Sequence, residues 1–251
     1  MWEIILFSLI AGGLGTGLGG IIGVIVSRPG KQYIAFMFAF AAGVMLGLVF
    51  IDLLPTAQAL GGLEHTCIGL GAGFLFVFII KRNDGSDKHT PIQDPHDLFV
   101  REDHDHKRMF FMGIAIVTAM LLHDIPEGMI IGASGRIGAG LAAGIMIMLH
   151  SIPEGMAMAV PFHSSGVKRW KIVGICFLAG IPSVIGAIIG YAIGVSDILI
   201  AYSLLIACGA MLCIVFMEMM PTVYEYTTKR KLPAIALIAG VVLAIVLESV
   251  L

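Results

Sequence analysis

His123-Asp124-Ile125-Pro126-Glu127-Gly128 and His150-Ser151-Ile152-Pro153-Glu154-Gly155 carry the same string, H-x-x-P-E-G, twice. Each copy sits near the middle of an apolar stretch long enough to cross a bilayer. A charged side chain at mid-bilayer costs at least about 2.5–3.5 kcal/mol, so an acid and an imidazole placed there twice imply a purpose. His at i and Glu at i+4 share one helix face, roughly 6 Å apart along the axis. Asp124, three residues before Glu127, joins that face. Pro126 leaves the carbonyl of Leu122 without a helical partner, and Pro153 does the same to Leu149. Each helix is therefore expected to loosen just before its histidine. Backbone freed at that depth is tolerated where it lines a polar cavity, and Gly128 and Gly155 are expected to leave room beside it.

The surroundings are those of a membrane. Of 251 residues, 58% are hydrophobic and only 13% charged, against about 25% charged in ordinary soluble domains. Mean hydropathy is +0.98. A net charge of −2 argues against a nucleic-acid partner. Cys67, Cys176, Cys208 and Cys213 all fall in apolar runs without a C-x-x-C pair, as small buried residues do. The N-terminus enters an apolar stretch directly after Glu3, with no basic n-region, and reads as a retained helix rather than a signal peptide.

Eight apolar stretches qualify as spans: Ile4–Val26, Tyr33–Leu60, Cys67–Ile80, Met109–Ile131, Ile137–Val160, Ile172–Val195, Ile198–Thr222 and Leu232–Leu251. The third is short unless Gly61–Thr66 belongs to it. The expected fold is an all-α integral membrane protein with eight transmembrane helices. Arg28, Lys31, Lys81, Arg82, Lys88, Arg101, Lys107, Arg108, Lys168, Arg169, Lys171, Lys229, Arg230 and Lys231 then fall on one side, and Arg136 alone on the other. By the positive-inside rule the crowded side is cytoplasmic and both termini are outside.

The chain divides into residues 1–80 (spans 1–3), a cytoplasmic loop at 81–108, residues 109–165 (spans 4 and 5, with the metal site) and 166–251 (spans 6–8). The loop holds His89, His96, His104 and His106. It reads as a solvated, disordered connector or as a metal-capture segment. Gly15-Thr16-Gly17-Leu18-Gly19-Gly20 matches G-x-G-x-x-G, but it lies in an apolar helix with no strand before it, so close helix packing explains it better than a dinucleotide.

Spans 4 and 5 are antiparallel, and their midpoints meet. Two imidazoles and at least two carboxylates then share one pocket, a donor set suited to Zn²⁺, Fe²⁺, Mn²⁺, Co²⁺ or Cd²⁺ rather than to Mg²⁺ or Cu⁺. A second repeat runs through spans 2 and 7. Ala41-Ala42-Gly43-Val44-Met45 leads to Asp52 and Pro55-Thr56, as Ala207-Cys208-Gly209-Ala210-Met211 leads to Glu218 and Pro221-Thr222. The two spans run in opposite directions, so spans 1–3 and 6–8 form an inverted repeat around the central 4/5 pair. Such repeats around a midplane site mark secondary transporters. Asp52 falls near the outer mouth as a pathway entrance.

The duplicated motif, the eight spans, the outward termini and the His-bearing loop together resemble the ZIP family, the zinc- and iron-regulated-transporter-like carriers. That resemblance covers essentially the whole chain. It implies uptake of divalent metal into the cytoplasm, a two-metal centre at mid-membrane, a homodimer in the plasma (cell inner) membrane, and elevator-like movement of one helix bundle against the other. Carried over by position, Met45, His123, Glu127, His150 and Glu154 would form the first metal site. Glu127 and Glu154 would bridge to a second, completed by Asp124 and Glu218. Asp124 stands where the family commonly has Asn, and Ser151 where some members have Asp or Asn, which leaves Ser151 a supporting role at most. Zn²⁺ or a related divalent ion is substrate here, and no catalytic cofactor is expected. The weighed alternatives are an intramembrane metal-dependent hydrolase, with Glu127 or Glu154 as base, and a proton-coupled carrier of a non-metal solute.

Overall fold

The computed structural model describes residues 2–26, 31–83, 97–133, 137–193, 196–227 and 231–250, and no strand occurs among them. We number the helical rods α1 (Trp2–Val26), α2 (Lys31–Gly61), α3 (Thr66–Asn83), α4 (Asp97–Ala133), α5 (Ile137–Ser164), α6 (Arg169–Ala179 with Ile181–Ile193), α7 (Asp197–Tyr226) and α8 (Lys231–Val250). Among the described residues, six of these, all but α3 and α5, contain a window long and apolar enough to cross a membrane. A shorter apolar run, Leu63–Ile79, occupies most of α3. Exposed Ile25, Ile79, Ile185, Ile235 and Ile238 face outward, as expected where lipid tails are the solvent.

Several local expectations are corrected. The 81–108 segment is not a uniform connector: α3 extends to Asn83 and α4 begins at Asp97, so residues 97–108 continue the fourth helix. His89 and His96 lie outside the described residues. The sixth span is broken at Gly180, where the chain turns and restarts two residues before Ser183. Pro182 explains the restart, because a proline fits the first turn of a helix but not its interior.

Pro126 and Pro153 do not loosen their helices; α4 and α5 remain α-helical through both. The widening occurs elsewhere. Leu48–Leu53 in α2 and Val215–Met219 in α7 are π-helical. There Leu54 N–H donates to the Val49 carbonyl, and Met220 N–H to the Val215 carbonyl. Pro55 and Pro221 follow directly and offer no N–H to the carbonyls of Ile51 and Met217. A longer-range bond closes each turn instead, and Asp52 and Glu218 sit inside the bulges.

The rods pack in two groups. In one, α1 lies on α5, α4 on the second half of α6, α4 on α5, and α1 on the first half of α6. In the other, α2 lies on α8, α3 on α7, and α2 on α7. The groups meet along α4–α7 and α2–α5. Glycines set the spacing within each group. Gly128 abuts the Ser183 carbonyl on α6, and Gly155 the Thr16 carbonyl on α1, with no space for a Cβ at either. The expected room beside the motif is thus filled by a neighbouring backbone. Gly15, Gly19 and Gly23 seat α1 on α5 in the same manner, as their small-residue pattern implied. Among the described residues, every glycine whose added Cβ would collide meets a neighbour in its own group.

Candidate metal centre

Helical spacing alone places His123, Asp124 and Glu127 on neighbouring turns of α4, and His150 and Glu154 on one face of α5. The contact between α4 and α5 then turns the two faces toward each other. Nε2 of His123 is 2.9 Å from Oε1 of Glu127 and 3.4 Å from Oε1 of Glu154. Nε2 of His150 is 2.9 Å from the same Glu127 oxygen. The imidazole rings stand 6.2 Å apart between centroids. None of these five residues is more than 5% exposed.

Two donor sets emerge, each with one ligand atom per residue within 4.8 Å of the others: His123, Glu127 and His150, and His123, Asp124 and Glu154. A Zn²⁺ ion with tetrahedral ligands at about 2.0–2.1 Å keeps those ligands roughly 3.3 Å apart. The His–Glu separations of 2.9–3.4 Å are close to that spacing. Oδ2 of Asp124, Oε2 of Glu127 and both oxygens of Glu154 are buried without hydrogen-bond partners. Carboxylate oxygens only accept, and leaving several of them unpaired in a dry interior is unfavourable unless a cation is served.

The remaining residues singled out from the sequence fall around this cluster. Ser151 turns away: its Oγ donates to the Ile147 carbonyl at 2.7 Å, and its Cβ lies against Gly15 on α1. Met45 is buried on α2 next to Val44, which lines a cleft that reaches His150. Asp52 lines that cleft too, with its carboxylate 3.4 Å from the Thr56 hydroxyl. Glu218 belongs to neither donor set; it is half-buried on α7, near enough for its charge to act on Arg108.

One residue was missed. Glu248, near the end of α8, lines the same narrow cleft as Asp52 and His150, which has room for one water-sized sphere (about 20 Å³). Its signal was present, since it is the one acid in the last apolar stretch.

A family model described as ZIP Zinc transporter matches residues 80–248. Over 247 residues the chain is 31% identical to the zinc transporter ZupT of Streptococcus mutans, covering 92% of this chain and 91% of that protein. It is 34% identical over 251 residues to ZupT of Corynebacterium aurimucosum, covering 93% and 92%. With ZupT of Escherichia coli O7:K1 the identity is 31% over 223 residues, covering 86% and 85%.

Proposed function

The chain belongs to the ZIP zinc transporter family, and from that membership we propose that Zn²⁺ is passed into the cytoplasm through the paired motifs of α4 and α5. As a family member it is a multi-pass inner-membrane transporter of divalent metal ions, not an enzyme. The hydrolase alternative is thereby set aside.

The observation that carries the proposal is the convergence of both H-x-x-P-E-G copies on one buried cluster with partnerless carboxylate oxygens. His123, Glu127 and His150 hold one ion, with Met45 and Glu154 at its edge. His123, Asp124 and Glu154 offer an adjoining station, so a second ion can sit beside the first, with Glu127 and Glu154 as bridges. Glu218 serves the exit rather than this station. Fe²⁺, Mn²⁺, Co²⁺ and Cd²⁺ accept the same donors and are expected to compete.

Eight spans with both termini outside fit the segregation of Lys and Arg. The packing supports an inverted repeat. Exchanging α1 with α6, α2 with α7, α3 with α8 and α4 with α5 converts the α1–α5 contact into α6–α4, and α2–α8 into α7–α3. The π turns at Asp52 and Glu218 correspond under the same exchange. Among the described residues the interlocked glycines are confined to each group and none locks one group to the other, which favours elevator-like sliding. In a homodimer one group would form the fixed scaffold against the lipid bilayer.

Uptake in proteoliposomes with a metal-sensing dye inside tests this reading. Zn²⁺ entry that Ca²⁺ and Mg²⁺ do not reproduce is expected. Flux of a non-metal solute without metal entry would favour the proton-coupled carrier.

A further inference from the structure

We propose that the Arg108–Glu225 ion pair is a latch that ties the two helix groups together at the exit end of the metal path and that departing metal releases. The inference rests on the reading that these groups move against each other. Arg108 lies on α4, in the first group, and Glu225 on α7, in the second. Nη1 of Arg108 donates to Oε2 of Glu225 at 2.6 Å. The bond is charge-assisted but partly exposed, so it is a modest tie that a competing charge can displace. Its ends belong to bodies that must separate for the exit to open.

The position gives the bond its second property. Glu218 stands seven residues before Glu225 on α7, hence two turns away on the same face. Its charge also acts on Arg108. The guanidinium is paired with Glu225 and lies within the field of Glu218, which the proposed exit route from the Glu127–Glu154 cluster would pass. An arriving divalent cation is attracted to the same acids with twice the charge. It competes with Arg108, and as the guanidinium yields, α4 is freed from α7. Arginine suits the task because it is charged at every physiological pH, whereas a histidine latch could open by deprotonation. The device keeps the exit closed when no metal is in transit.

A cysteine reporter at position 222, between the two acids on α7, tests the latch in a background lacking the four native cysteines. Labelling by an impermeant thiol reagent is followed in inside-out vesicles of the full-length protein. Arg108→Gln and Glu225→Gln are expected to speed labelling roughly two- to fivefold, the range for a partly exposed ion pair. The exchanged pair Arg108→Glu with Glu225→Arg restores the slow rate, which a metal-ligand role for Glu225 does not predict. Added Zn²⁺ accelerates labelling in the parent but not in Arg108→Gln. Equal labelling of parent and single variants, or an exchanged pair no slower than the singles, overturns the latch. Absence of Zn²⁺ release by the parent from the same vesicles preloaded with Zn²⁺ overturns the transport reading instead.

Discussion

Nε2 of His150 on α5 and Oε1 of Glu127 on α4 lie 2.9 Å apart, and this contact closes one motif copy onto the other. The same oxygen also faces His123 at 2.9 Å. One carboxylate oxygen thus serves two imidazoles from two helices, while Oε2 is buried with no partner. Glu154 is placed differently, reaching His123 at 3.4 Å with neither oxygen hydrogen-bonded. The two glutamates of a repeated motif are therefore not equivalent. Glu127 organises the imidazoles, and Glu154 holds the more open acceptors.

Substitution should reflect that arrangement. Alanine at His123, Glu127 or Glu154 is expected to reduce Zn²⁺ uptake more than about 100-fold, because even partners one shell removed from a metal are worth 10–100-fold. Ser151→Ala leaves uptake near the parent level, since its hydroxyl bonds the Ile147 carbonyl rather than the site. Near-normal uptake by Glu154→Ala at equal membrane abundance would remove the assignment.

Metal entry should release protons. Asp124, Glu127 and Glu154 are packed with two histidines in a buried pocket, and a metal entering such a donor set displaces the protons it carries when empty. Ligands must be deprotonated to bind, so the metal expels those protons and its apparent affinity rises with pH. Calorimetry of Zn²⁺ binding in two buffers of different ionisation enthalpy reads the proton count directly. Identical heats in both buffers would contradict this.

The glycines of the motif are expected to matter for stability as much as any core side chain. A Cβ at Gly155 would meet the Thr16 carbonyl, and one at Gly128 the Ser183 carbonyl, both rigid backbone. Gly155→Ala and Gly128→Ala should each cost about 1–3 kcal/mol as overpacking does, visible as a lowered thermal midpoint in detergent. Gly174→Ala is the control, because nothing lies within 4 Å of its Cβ position. A midpoint for Gly155→Ala equal to that of the control would refute the packing role.

What could be read from the sequence follows from how far each signal travels along the chain. The pairing of His123 with Glu127, or His150 with Glu154, is a one-turn relation that spacing alone fixes. The charge segregation is likewise a property of short loops. The π turns at Asp52 and Glu218 were hidden because a proline inside a helix can be absorbed in more than one way. Pro126 and Pro153 leave the helix intact, while Pro55 and Pro221 follow a widened turn. The roles of Gly128 and Gly155 depend on α6 and α1, which are remote in sequence. Glu248 becomes informative only once α8 is laid against α2 and brings it to the cleft shared with Asp52.

That cleft leads to the last prediction, which separates entrance from exit. Asp52 and Glu248 line it together with His150, so in the proposed topology both carboxylates would stand on the approach to the cluster from the outer side. Negative charge in a narrow low-dielectric approach raises the local concentration of cations. Asp52→Asn and Glu248→Gln should therefore raise the half-saturating Zn²⁺ concentration while leaving the maximal rate nearly unchanged. The proposed inverted repeat would put Glu218 on the other side of the cluster, and its charge acts on Arg108, so Glu218→Gln should lower the maximal rate with little change in half-saturation. Cysteines at 52 and 218, in a background without native cysteines, report the same geometry. An impermeant thiol reagent applied from outside should label position 52 and not 218. Labelling of both from one side would overturn the inverted arrangement and the division into entrance and exit built on it.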